Sequence, residues 1–121
     1  MEQSHLMDTE VCNRVTGALS RVGDKWSVLL IMQLDGGPKR FSELRRAIGG
    51  ISQKMLAATL HGLERDGFVT RTVLPTKPPG VEYALTGLGW DLVSPVKALG
   101  HWVLENIDRI ESSRADFDLR A

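Results

Sequence analysis

The hydrophobic pattern of this chain switches from helical spacing to strict alternation at one place, and that switch restricts the folds open to it. Up to Asp66, apolar residues recur at intervals of three and four. From Phe68 the run Phe68-Val69-Thr70-Arg71-Thr72-Val73-Leu74 alternates as a half-buried strand does. Pro75 to Gly80 form a loop carrying three prolines and Lys77, and Val81-Glu82-Tyr83-Ala84-Leu85 supplies a second strand. A hairpin with a six-residue tip is predicted.

Four helices are predicted before the hairpin. The first, Val11 to Val22, has the stripe Val11, Val15, Ala18, Leu19 and Val22, and stops at Gly23. Asp24 is the expected N-cap of the second. Its residues Trp26, Val28, Leu29, Leu30, Ile31, Met32 and Leu34 are apolar on almost every side, which predicts a central, buried helix ending at Gly36-Gly37-Pro38. A short third helix, Ser42 to Ile48, turns Phe41, Leu44 and Ile48 inward and Arg45 and Arg46 outward. After Gly49-Gly50, Ser52 caps a fourth helix reaching Asp66, with Met55, Leu56, Leu60 and Leu63 inward and Gly67 closing it. Behind the hairpin, Thr86 caps a last helix that Pro95 is expected to kink or divide. Val96, Leu99, Val103, Ile107 and Ile110 lie along one face of it. Residues 1–8 and 112–121 are polar and without period, and are expected to be loose.

With 121 residues, 42% apolar and 25% charged, the chain fits one globular domain. The fold class read from this order is mainly α with a small β-hairpin wing: a winged helix-turn-helix with a C-terminal dimerisation helix. Residues 24–86 form the expected DNA-binding lobe, and 10–22 and 95–111 the expected dimerisation helices. Formal net charge is zero, yet between Lys39 and Lys77 eight basic residues face three acidic ones, +5, leaving −5 elsewhere. That asymmetry suits a protein with one face against phosphates. There is no long apolar run and no leader-like start, and a lone cysteine excludes an intrachain disulfide, all of which fits the cytoplasm and no membrane contact.

An α-helix fits the major groove, and the second helix of such a pair enters it with its N-terminal residues on base edges. Those are Ser52, Gln53 and Lys54, followed one turn later by Ala57, Ala58 and His61. Gln53 suits bidentate pairing with adenine, Lys54 suits guanine, and the alanines suit contact with a thymine methyl. Lys39, Arg40, Arg45 and Arg46 are expected on phosphates, and Lys77 at the wing tip on the backbone or in the minor groove. Trp26, Phe68 and Tyr83 read as core. His5, His61 and His101 are too scattered for a metal site, and no cofactor or catalytic motif is found.

Five blocks in order carry a family resemblance: Gly23-Asp24-Lys25-Trp26; Arg40-Phe41-Ser42-Glu43-Leu44-Arg45-Arg46; Ile51-Ser52-Gln53-Lys54-Met55-Leu56; Leu63-Glu64-Arg65-Asp66-Gly67; and Pro78 through Gly89, followed by Trp102. From Cys12 to Trp102 the chain resembles the HxlR family of winged-helix regulators, related to the MarR group. The resemblance implies a homodimeric transcription regulator, commonly a repressor. It also implies thiol sensing at the start of the first helix, where Cys12 stands, although Asn13 replaces the family's usual proline. Other departures are Asp24 in place of a second glycine, Ala57 and His61 in the reading helix, and Gly62, a residue that costs about 1 kcal/mol relative to Ala inside a helix.

A thiol at a helix N-terminus is activated by the helix dipole, and with no second cysteine its oxidation must give an intersubunit disulfide, a mixed disulfide or an adduct. The alternative is a small buried residue. Dimerisation is expected through Val11, Val15, Leu19, Val96, Leu99, Trp102, Val103 and Ile107, because the last helix is too apolar for a free tail. A dimer sets two reading helices about 34 Å apart and calls for a pseudo-palindromic operator in double-stranded DNA. The competing readings are a winged-helix protein-interaction module and a regulator answering a small effector. An enzyme is not expected, since Cys12 has no neighbouring histidine in the pattern.

Overall fold

Leu30, Ile31 and Leu34 are almost wholly removed from solvent, and the chain is arranged around them. The computed structural model describes residues 9–120; the expected loose segment 1–8, with His5, lies outside them, as does Ala121. The elements are α1 (Thr9–Val22), α2 (Lys25–Leu34), β1 (Lys39–Arg40), α3 (Phe41–Ala47), α4 (Gln53–Arg65), β2 (Val69–Leu74), β3 (Gly80–Leu85) and α5 (Gly87–Arg120). Leu44 and Ile48 of α3, Leu56, Leu60 and Leu63 of α4, Val69, Tyr83 and Leu85 of the sheet, and Val93 and Val96 of α5 close over α2.

Local chemistry sets the boundaries. Gly23 N–H donates to the Leu19 carbonyl at 2.7 Å and ends α1. Asp24 then caps α2, its carboxylate accepting from the Trp26 and Ser27 N–H groups at 3.1 Å each. Gly50 and Gly67 take the positive φ angles, +88° and +86°, that end the turns before and after α4. Thr86 is doubly used: its hydroxyl donates to the Gly67 carbonyl at 2.6 Å and accepts from Gly89 N–H at 3.1 Å, which ties the start of α5 to the end of α4.

Several expectations need correction. Met55 is 46% exposed, because the buried stripe of α4 is Leu56, Thr59, Leu60 and Leu63, and Met55 sits at its edge beside Thr59. In α2, Leu29 and Met32 are exposed, so the helix is buried on one side rather than all round. The hairpin gains a third strand: Lys39 pairs with Tyr83 and Arg40 with Glu82, giving the antiparallel order β1-β3-β2. Gly80 pairs with Leu74, so the tip is residues 75–79, one shorter than expected. Finally, α5 is one helix of 34 residues, about 51 Å long, running through Pro95 and onward to Arg120. Pro95 and Asp91 are both exposed, so water can serve the Asp91 carbonyl that proline leaves without a donor. Residues 111–120 are helical and wholly exposed; no apolar period marks them because the chain itself covers no side of them.

Gly89 is buried, and a Cβ there would collide with the Phe68 carbonyl oxygen, whereas a Cβ at Gly87 meets nothing within 4 Å. Gly89→Ala is therefore expected to destabilise by about 1–3 kcal/mol in urea unfolding. Gly87→Ala should leave stability unchanged or raise it by up to about 1 kcal/mol.

Candidate nucleic-acid interface

The first part of the interface is the α3–turn–α4 pair. Glu43 folds back so that its carboxylate accepts from the Arg40 N–H at 2.8 Å, fixing the start of α3. Ser52 caps α4, its hydroxyl oxygen accepting from Met55 N–H at 3.0 Å. The hydroxyl proton of Ser52 stays available, on an exposed residue at the helix tip. Gln53, Lys54, Ala57, Ala58 and His61 are all exposed along α4. Arg45 reaches across from α3, its Nη1 donating to Gln53 Oε1 at 3.4 Å.

The sheet borders this face. Strand β1 carries Lys39 and Arg40 into it, next to β3. The tip of the wing is held by Thr76, whose hydroxyl donates to the Pro78 carbonyl at 2.9 Å and accepts from Gly80 N–H at 3.0 Å. Lys77 is exposed on that tip. Between wing and helix pair runs a groove of about 680 Å³ whose lining includes Arg40, Arg71 and Lys77 on one hand and Gln53 and Ala57 of α4 on the other.

Arg71 was counted with the basic middle of the chain but not placed at the site by its sequence. The signal was the alternation itself: Arg71 shares a face with Val69 and stands opposite Tyr83, so it turns toward the helices and not outward. Met55 and Ala58, by contrast, line a second groove of about 920 Å³ between α1 and α4. Ala58 thus lies on the α1 side of the reading helix, while Gln53 and Ala57 lie on the wing side.

The cations of this face are not drawn into direct ion pairs, although Glu43 and Glu82 stand near Arg40. Among the described residues the ion pairs join Arg21 and Arg65 to Asp66, and Lys97 to Asp35. None engages Lys39, Arg40, Arg45, Arg46, Lys54, Arg71 or Lys77. A cationic surface that presents Gln53 at the tip of α4 can contact phosphates broadly and a base edge at one point.

The remaining sequence candidates fall elsewhere. Cys12 is exposed in the first turn of α1, its Sγ 4.0 Å from Thr16 Oγ1. Val11, Val15 and Ile107 are half-buried, and Leu19, Leu99, Trp102 and Val103 are exposed. Val96 is only 5% exposed and belongs to the core of its own chain, so it offers nothing to a partner. Leu104 and Phe117 are exposed apolar residues on α5 that the sequence reading did not select. His61 and His101 stand on different helices, and among the described residues no three metal-ligating side chains come together. No helix there is long and apolar enough to cross a membrane.

The model of the family described as HxlR-like helix-turn-helix matches residues 21–111. The HTH-type transcriptional regulator YtfH of Escherichia coli (strain K12) is 46% identical over 96 residues, 79% of this chain and 76% of its own. Among solved structures, ytfH from Salmonella typhimurium, described as a transcriptional regulator, is 42% identical, covers 84% of this chain and 90% of its own, and superposes with a TM-score of 0.79. The redox regulator HypR in its reduced form is 40% identical, with 82% and 98% covered and a TM-score of 0.75. The chain belongs to the HxlR-like helix-turn-helix family of transcriptional regulators.

Proposed function

We propose that this chain is a homodimeric repressor that reads a pseudo-palindromic operator in double-stranded DNA and is released from it by oxidation or alkylation of Cys12. The observation that carries the DNA-reading part is the exposed tip of α4, with Gln53 beside Arg45, set among cations that no direct ion pair engages. In this reading Ser52, Gln53, Lys54, Ala57 and His61 meet base edges. Lys39, Arg40, Arg45, Arg46, Arg71 and Lys77 hold the backbone on either side. The protein works by binding alone, and no catalytic step is assigned to it.

The dimer rests on Leu19 of α1 and on Leu99, Trp102, Val103 and Ile107 of α5. Trp102 is 56% exposed, a large aromatic surface that a monomer would leave in water. The switch rests on the exposure of Cys12, since a buried thiol would be inert. As the sole cysteine of the chain, Cys12 can be oxidised to a disulfide only with a second copy's Cys12 or with a small thiol. Each such disulfide forms with loss of two electrons and two protons to the oxidant. The likeness to a redox regulator supports this assignment.

The test of the reading is selection of sites from random duplex DNA with the reduced protein. Enrichment of a pseudo-palindrome, with affinity falling steeply as salt rises, is the expected result. Absence of any enriched sequence would point to a protein-interaction module. On the enriched site, Gln53→Ala should cost about 1–3 kcal/mol and relax one base position. Arg71→Ala should instead weaken every sequence alike and reduce the log–log salt slope by about 1. In sedimentation, wild type should run as a dimer at micromolar concentration and Trp102→Glu as a monomer. A thiol oxidant should release wild type from the operator and leave Cys12→Ser bound; equal behaviour of the two would remove the switch.

A further inference from the structure

Helix α4 carries a glycine in its middle, and the structure shows what lies over it. The atoms that a Cβ at Gly62 would meet first are the three guanidinium atoms Nη1, Cζ and Nη2 of Arg21. Arg21 belongs to the last turn of α1 and lies 45 positions from its partner Asp66, whose Oδ2 accepts from Arg21 Nε at 3.1 Å. A Cβ at this position would have to displace the guanidinium, so glycine leaves it room against the helix. The glycine and the ion pair are separate observations, and both place Arg21 across the C-terminal half of the reading helix.

The electrostatics agree. Asp66 is the C-cap of α4, where the helix dipole disfavours a carboxylate. Arg21, helped by Arg65 at 3.8 Å, supplies the opposing charge, and Arg21 also sits at the negative end of its own helix. The contact is half-exposed, with about a third of each side chain open to solvent. An ion pair in such a place contributes little to global stability. What it does contribute is orientation. Helix α1 buries no side chain of its own and joins the lobe through the Gly23 turn. The Arg21–Asp66 pair adds to that joint a contact remote in sequence, which restrains the angle between α1 and α4.

We propose that Arg21 is a positioning residue: seated on Gly62 and paired with Asp66, it sets the angle between α1 and the reading helix, and thereby the one half-site spacing that the dimer accepts. This rests on the reading above, in which α1 belongs to the dimer interface and α4 to the DNA. Each protomer's reading helix is then held relative to the two-fold axis through Arg21. Loosened, the protein still recognises each half-site but no longer measures the distance between them.

The experiment uses the full chain and duplexes in which the half-sites of the selected operator are moved together or apart by one or two base pairs. Each step shifts a half-site by about 3.4 Å and turns it by about a tenth of a helical turn. Wild type is expected to lose about tenfold or more in affinity per step, and Arg21→Ala to vary by less than about threefold across the series, with half-site affinity and salt slope unchanged. Gly62→Ala keeps both charges and is the better helix former, so neither lost charge nor a weakened helix accounts for its result. It is expected to match Arg21→Ala, because the methyl group displaces the guanidinium. Wild-type spacing preference retained in both variants would overturn the assignment of Arg21 while leaving the dimeric reading intact. A wild type that binds no duplex, or that ignores spacing, would overturn that reading and this inference with it.

Discussion

The burial of one face of α2 is the interaction from which the rest of the structure follows. Leu30, Ile31 and Leu34 gather three helices and the sheet around a single small core, and nearly every other fully buried side chain touches that group. A core of this size holds the DNA-facing elements in fixed relation to one another, yet it has no material left for α1 or for the far half of α5. Those two helices consequently leave Leu19, Leu99, Trp102 and Val103 exposed, the residues on which the proposed dimer rests.

That division also explains which parts of the fold were legible in the sequence. Wherever a segment packs on its own chain, its period is written in its residues: α3, α4 and the hairpin were readable from Leu44, Leu56, Leu60, Leu63, Val69 and Leu85. Caps were equally plain, since Asp24, Ser52 and Thr86 bond where an N-cap must. Strand β1 was not legible because two residues carry no period, and Lys39 and Arg40 read as charge before they read as strand. The last ten residues of α5 were missed for the opposite reason: a helix with no covered side writes no stripe. Met55 was misread because it neighbours the buried stripe and shares its hydrophobicity, while its actual surroundings are the groove beside α1.

The exposure of the candidate reading residues was legible in the sequence, and the sides they face less so. Ser52, Gln53, Lys54, Ala57, Ala58 and His61 all stand exposed on α4, as helical spacing requires. Spacing alone could not say that Ala58 turns toward α1 and Ala57 toward the wing, because that depends on what flanks the helix. Arg71 shows the same limit. Its chemistry was visible, but its direction came from its pairing with Tyr83 across the sheet. Gly62, which helix propensity alone marks as a fault, becomes intelligible only when Arg21 arrives from another helix.

The pairing of β1 with β3 has a consequence for the DNA as well as for the protein. Because Arg40 ends β1 and stands directly before the first residue of α3, the sheet runs into the helix pair with no intervening loop. Arg40 and Lys77 thus stand together on the wing side of the groove, with Gln53 and Ala57 of α4 across from them. In the proposed reading, a duplex that does not fit this groove has to bend or change its groove width to be bound. The energy of that deformation depends on base steps the protein never touches. In that reading, two residues of strand, too short to be noticed in the sequence, make the stiffness of DNA part of what is recognised.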